Sequence, residues 1–128
     1  MHVATPQELK IYMIKPQLYK YKFRPAYKSK ELLIEFFSGV ENAAFEMDIN
    51  LALSEIDPEK VKAEDLWMNN EVLYMYNSKI GTYTLSKDIW NNAFIMSKEN
   101  QKAIIAIEQL LMKNPKFEKI EVNFDEYA

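Results

Sequence analysis

Residues 72–85 constrain the fold most, because they carry the pattern of a β-hairpin. Val72–Tyr76 is apolar at every position, as expected for a central strand that is covered on both faces. Asn77–Gly81 supplies a five-residue loop that ends in glycine, where the backbone can adopt a positive φ. The return strand alternates large apolar residues with threonine. Residues 89–96 then favour a third strand, with a short helix as the alternative, and the whole forms a β-meander over 71–96.

Four segments carry the signals of helices. Thr5–Glu8 matches a capping box with proline at the first helical position, which predicts a short helix over 6–14. A stripe of apolar residues at helical spacing predicts a long helix over 30–55, and Asp57-Pro58 has the form of another helix start. The clearest helix covers 97–113, where Asn114-Pro115 stops it.

Two further segments are typical of strands. Residues 117–124 alternate and predict a C-terminal strand. Residues 18–24 place aromatic side chains on one face and cationic ones on the other: Tyr19, Tyr21 and Phe23 against Lys20, Lys22 and Arg24. A cationic ribbon for nucleic acid would have this pattern, but so would an edge strand whose lysines discourage aggregation, and we favour the edge strand. The expected fold is a single α+β domain over 1–128, with N-terminal helices packed on a small, mostly antiparallel sheet.

The scarcity of reactive residues limits the chemistry. The only histidine is His2, cysteine is absent, and the two glycines, Gly39 and Gly81, are isolated. A catalytic triad needs a positioned histidine, a structural zinc site needs about four Cys/His ligands, and phosphate-binding loops need clustered glycines. We therefore expect no enzyme, no catalytic residues, no cofactor and no metal ion.

Charge is distributed unevenly along the chain. Residues 1–30 contain seven Lys/Arg against Glu8 alone, a net charge of +6. Residues 31–71 contain eleven Asp/Glu against Lys60 and Lys62, a net charge of −9. The two blocks either attract each other within the fold or set which partner meets which face.

The acidic block also contains an apolar stripe. Phe45, Ile49 and Leu53 follow one another at intervals of four residues, with acidic neighbours. The stripe is either buried or exposed as a protein-binding face with an acidic rim. The candidate partner-binding residues are Glu41, Phe45, Glu46, Asp48, Ile49, Glu55 and Glu64.

Several short segments resemble the small immunity proteins of bacterial contact-dependent and polymorphic toxin systems. They are Val72–Asn77, Gly81–Ser86, Asp88-Ile89-Trp90 and Asn100-Gln101, and the resemblance spans roughly residues 70–125. It implies a cytoplasmic protein that binds one cognate toxin domain and blocks its active site or substrate groove. Many such toxins are nucleases with cationic grooves, and an acidic face would steer their association.

The residues therefore favour a non-catalytic protein-binding inhibitor whose partner is a toxin domain. The alternative is a nucleic-acid-associated module that uses the basic segment 10–30. The acidic net charge makes nucleic acid the less favoured partner. No apolar run reaches the length of a membrane span, so we expect no membrane association.

Overall fold

A seven-stranded mixed sheet dominates the computed structural model, which describes residues 18–128. Its spatial order is β3-β4-β5-β6-β2-β1-β7. Neighbouring strands are antiparallel except for β1 and β7, which are parallel. In chain order the strands are β1 (Tyr19–Pro25), β2 (Leu32–Ser38), β3 (Glu59–Leu66), β4 (Glu71–Asn77), β5 (Tyr83–Asp88), β6 (Ala93–Met96) and β7 (Phe117–Lys119).

Two α-helices pack on the same face of this sheet. They are α1 (Phe45–Ala52) and α2 (Gln101–Met112), and short 3₁₀ turns lie at Ser54–Ile56, Trp67–Asn69 and Phe124–Tyr127. The inward side chains of the strands alternate with outward ones, as the two-residue period of a strand requires. The largest fully buried side chains include Tyr19, Tyr21, Ile34, Phe36, Phe45, Tyr76 and Ile104.

The expected arrangement of N-terminal helices on a small sheet is wrong. Within residues 18–128 the first helix begins at Phe45, and the sheet has seven strands. Most of the segment predicted as a helix over 30–55 forms β2 and a loop, and only its last third is helical. The predicted helix over 6–14 lies outside the described residues.

Gly39 shows why the long helix does not form. Its φ is +87°, and a Cβ atom there would lie 2.2 Å from the carbonyl oxygen of Leu18. Such a backbone ends the extended run of β2 and can be adopted without strain only by glycine. The apolar residues of β2 also fit a helical period, but Ile34 and Phe36 are the fully buried ones, which is the two-residue period of a strand.

The meander is confirmed, since β4, β5 and β6 are consecutive antiparallel neighbours. Of the segment 89–96, only Ala93–Met96 is the third strand. The helix predicted over 97–113 begins later, at Gln101, and ends before Asn114-Pro115, as predicted. Asp57-Pro58 does not start a helix but leads into β3.

Strands β1 and β7, at the end of the sheet opposite β3, differ from the prediction in detail. The C-terminal strand is shorter than 117–124, since only Phe117–Lys119 is extended. The strand predicted over 18–24 is confirmed as β1. It is not an edge strand, however, because it lies between β2 and β7.

Candidate protein-binding surface

The apolar residues predicted on α1 lie in the core. Phe45, Ile49 and Leu53 are 0%, 2% and 0% exposed. The Phe45 ring packs 5.3 Å from the rings of both Tyr19 and Phe36. Phe45 and Ile49 are therefore core residues, and the exposed apolar stripe considered for them does not form.

The acidic residues of α1 also face inward. Asp48 is 5% exposed and accepts a hydrogen bond from the Tyr19 hydroxyl at 2.5 Å. The Nζ atom of Lys116 lies 3.0 Å from the same carboxylate. Glu46 accepts a hydrogen bond from the Tyr76 hydroxyl and pairs with Lys60 at 2.7 Å. Asp48 is thus engaged inside the molecule, and Glu46 is engaged by the same kinds of partner while its side chain stays 26% exposed.

Asp48 and Glu46 each form a unit of one tyrosine, one carboxylate and one lysine. A third such unit connects α2 to the sheet. Glu108, which is buried, accepts from the Tyr21 hydroxyl at 2.9 Å and pairs with Lys119 at 3.0 Å. In each unit a sheet tyrosine donates to a helix carboxylate and a lysine balances the charge. This satisfies carboxylates that would be costly to bury alone.

Burial raises the pKa of the three tyrosines in these units. Desolvation is the largest cause for Tyr19, Tyr21 and Tyr76, and the hydrogen bond to the neighbouring carboxylate is the second. Tyr83 also has a raised pKa, caused by burial. Its ring stacks on Tyr76 with centroids 5.3 Å apart. Tyr19, Tyr21 and Tyr76 are neutral donors at neutral pH, which is what the carboxylates require.

The other predicted acidic residues are accessible but dispersed. Glu41 is exposed in the loop between β2 and α1, while Glu55 is exposed in the 3₁₀ turn that follows α1. Glu64 is partly exposed on β3 and pairs with Lys62 at 2.6 Å. The seven candidate residues therefore do not form one surface.

A different group of large apolar residues is exposed on two neighbouring turns. Trp67 and Met68 lie in the turn between β3 and β4, and Ile89 and Trp90 lie in the turn between β5 and β6. Their side chains are between 64% and 78% exposed. We call these four residues the hairpin-end surface. The two turns lie at the same end of the sheet, separated by two strand spacings, or about 10 Å.

Hydrogen bonds fix the two turns relative to each other. The Ile89 N–H donates to the carbonyl of Asn70 at 3.1 Å, which joins one turn to the other. The Asp88 Oδ1 atom accepts from the backbone N–H groups of Trp90 and Asn92 at 2.9 and 3.0 Å. The surface is thus organised before any partner arrives, which lowers the entropic cost of binding.

Asparagines permit the chain reversals at these turns. Asn70 and Asn91 have φ values of 55° and 62°. Asparagine tolerates this left-handed region better than most residues with a side chain. Each reversal comes directly after large apolar residues, whose side chains it leaves outside the core.

A groove of about 380 Å³ opens between the two turns. The apolar residues that line the groove are Val72, Tyr74, Trp67 and Ile89. The charged groups that line it are three carboxylates and one lysine: Asp65, Glu71, Asp88 and Lys87. The groove therefore suits a side chain that is apolar along its length and positive at its tip.

The sequence contains a signal for this surface, although none of the seven predicted residues belongs to it. Both turns carry Asp, an aliphatic residue, Trp and then an Asn pair: Asp65–Asn70 reads DLWMNN, and Asp88–Asn92 reads DIWNN. Each pattern places a tryptophan close to turn-forming asparagines, and its repetition marks two similar turns. The pattern does not by itself set exposure, because Tyr76, which also precedes a turn asparagine, is buried.

The basic segment is only partly available to a partner. Arg24 is buried, its Nε atom pairs with Glu35 at 2.8 Å, and its guanidinium lies 4.7 Å from the Tyr127 ring. The Lys22 ammonium lies 5.0 Å from the Phe37 ring. Residues 10–17 of that segment lie outside the described part of the chain. The Arg24–Glu35 pair is an attraction between the basic and acidic blocks of the kind expected.

Residues 18–128 contain no group of three His, Cys, Asp or Glu side chains that converge as metal ligands would. None of the helices in the same range combines the length and apolarity needed to cross a bilayer. Comparison of the chain with protein-family models, curated proteins and solved structures finds no match.

Proposed function

We propose that this chain is a non-catalytic protein-binding inhibitor, an immunity protein that neutralises a cognate toxin domain by occluding its active site. The hairpin-end surface makes the contact. One observation carries the proposal: four large apolar residues are exposed on two neighbouring turns that one backbone hydrogen bond joins. Tryptophan and methionine are enriched at protein interfaces, and tryptophan is prominent among hot-spot residues.

The charges around this surface indicate the chemistry of the partner. Three carboxylates against one lysine line the groove, and Glu41 is exposed in a loop at the same end of the sheet. A partner with a cationic groove, such as the substrate site of a nuclease toxin, would associate faster because of this field. The tryptophans would supply most of the affinity, and the carboxylates would supply rate and specificity.

The test begins with the reading frame that adjoins the gene for this chain. Its C-terminal domain, expressed in a bacterial host, should arrest growth, and co-expression of this chain should restore growth. The purified domain should bind this chain in a calorimeter. Trp67→Ala and Trp90→Ala should each raise the Kd at least about 30-fold, the effect of losing about 2 kcal/mol at a hot spot.

Leu51→Ala is the matched control, because Leu51 is an exposed apolar residue on α1, away from the hairpin-end surface. Its Kd should stay within about threefold of the wild-type value. A domain that does not arrest growth, or growth that co-expression does not restore, would remove the proposal. Tryptophan variants that bind as tightly as wild type would show that this surface is not the contact.

A further inference from the structure

Strand β3 forms one edge of the sheet. Among residues 18–128 no strand pairs with its outer side. Its eight residues are exposed at six positions and partly exposed at the other two. An edge strand presents a row of unpaired N–H and C=O groups, which is a template for another strand.

The charge order along β3 selects the direction of an incoming strand. Lys60 and Lys62 come before Glu64 and Asp65. When two copies of this strand lie antiparallel, the lysine half of one faces the carboxylate half of the other. A parallel arrangement would set like charges opposite each other, which is destabilising.

We infer that β3 pairs antiparallel with β3 of a second copy of this chain, about a two-fold axis at Ala63. Lys62 and Glu64 pair with each other at 2.6 Å within one chain. This register also sets Lys62 opposite Glu64 of the second copy, so each ammonium lies between two carboxylates, and the symmetry creates the same arrangement a second time. Lys62 and Glu64 share the face of the sheet opposite the helices, since they pair with Met75 and Leu73 of β4. Both pairs therefore form on one face of a sheet that continues through the two copies.

The bulge between Lys60 and Lys62 keeps the regular pairing short, because a bulge bends the strand away from its partner. The association is therefore weak and depends on the two charge pairs. It leaves the hairpin-end surfaces at opposite ends of the joined sheet. The inference does not rest on the proposed function.

Charge reversal tests the pairing in sedimentation equilibrium at low salt. The wild-type chain should dimerise, and Lys62→Glu or Glu64→Lys should raise the dimer Kd at least about tenfold, because each change sets like charges opposite each other twice. The double variant K62E/E64K should restore the wild-type Kd. An equimolar mixture of K62E and E64K should form a heterodimer, since the opposed positions are complementary again.

The register is tested by a cross-link. The chain has no cysteine, so Ala63→Cys introduces the only thiol, and oxidation should yield a covalent dimer because residues opposed across two strands have Cβ atoms about 5 Å apart. Met47→Cys, an exposed position on α1, should form no covalent dimer under the same conditions. Circular dichroism and Tm check that each variant folds.

Three results would overturn the inference. They are a wild-type chain that stays monomeric at its solubility limit, a dimer that K62E does not weaken, and a mixture of single variants that forms no heterodimer. Trp67→Ala should leave dimerisation unchanged. Failure of this inference is therefore distinguishable from failure of the proposed function.

Discussion

Helix α1 and the hairpin-end surface both combine large apolar residues with carboxylates. On α1 the apolar residues are buried, whereas at the hairpin end they are exposed. On α1, Phe45 and Ile49 fill the core, and Asp48 is held by Tyr19 and Lys116. At the hairpin end, Trp67 and Trp90 are exposed and carboxylates line the groove beside them. Acidic and apolar composition alone therefore does not identify a binding face, because its use depends on whether the fold supplies internal partners.

The difference has a physical origin. A carboxylate on a helix that faces a sheet can be buried when a tyrosine hydroxyl and a lysine reach it. Trp67 and Trp90 have no such partners, since their turns lie beyond the ends of the strands and the two residues are 73% and 64% exposed. Three predictions test how much the buried residues contribute to stability compared with those of the hairpin-end surface.

The largest expected effect is on the free energy of unfolding. Phe45→Ala should lower it by about 4 kcal/mol, the cost of a cavity in a packed core. Trp90→Ala should change it by about 0.5 kcal/mol or less, as is usual for an exposed position. Denaturant titration of both variants measures the contrast, and equal losses would show that Trp90 belongs to the core.

A smaller loss is expected when a tyrosine–carboxylate–lysine unit is broken. Glu108→Ala leaves the buried Tyr21 hydroxyl without its acceptor and Lys119 without its counter-charge. The free energy of unfolding should fall by about 3 kcal/mol. Glu126→Ala is the control, because Glu126 is an exposed carboxylate of the same C-terminal region. Similar stabilities for the two variants would mean that the unit does not hold α2.

The smallest effect on the free energy of unfolding at neutral pH is expected from ionisation of the buried tyrosines. Their pKa values are raised in the folded state above the unfolded value of about 10. Their contribution to stability is therefore complete below pH about 10 and is lost as pH rises above it, because the unfolded chain releases these protons first. Ultraviolet titration should show them ionising only as the chain unfolds. Ionisation at the ordinary pKa in a folded chain would contradict this.

Local patterns predicted the local part of the fold. The hairpin over 72–85 and the helix before Asn114-Pro115 depend on neighbouring residues, and both are present. The prediction for 30–55 was wrong because the apolar spacing of this segment fits two periods. The pairing of β2 with β1 and β6 decides between them, and these are tertiary contacts that the sequence does not display.

The candidate site was harder to predict for the same reason. Glu46 and Asp48 have the composition of an acidic rim, but their tyrosine and lysine partners are distant in sequence: Tyr76 is 30 residues from Glu46, and Lys116 is 68 residues from Asp48. Of the seven candidate residues, Glu41 and Glu55 are exposed, and Glu46 and Glu64 are partly exposed. Turn residues alone do not predict the exposed tryptophans, because Tyr76 and Ile80 at the β4–β5 turn pack on the core.

The parallel pairing of β1 with β7 has a consequence for how the molecule is made. Tyr19 lies beside Phe117, so β1 cannot gain its second neighbour until Phe117 has left the ribosome, about a hundred residues later. The meander of β4, β5 and β6 joins residues close in sequence and can assemble earlier, since short loops close fastest. Strand β1 can pair with β2 early, because only a short loop separates them. Its pairing with β7 comes last, and a truncation before Phe117 leaves β1 open on one side.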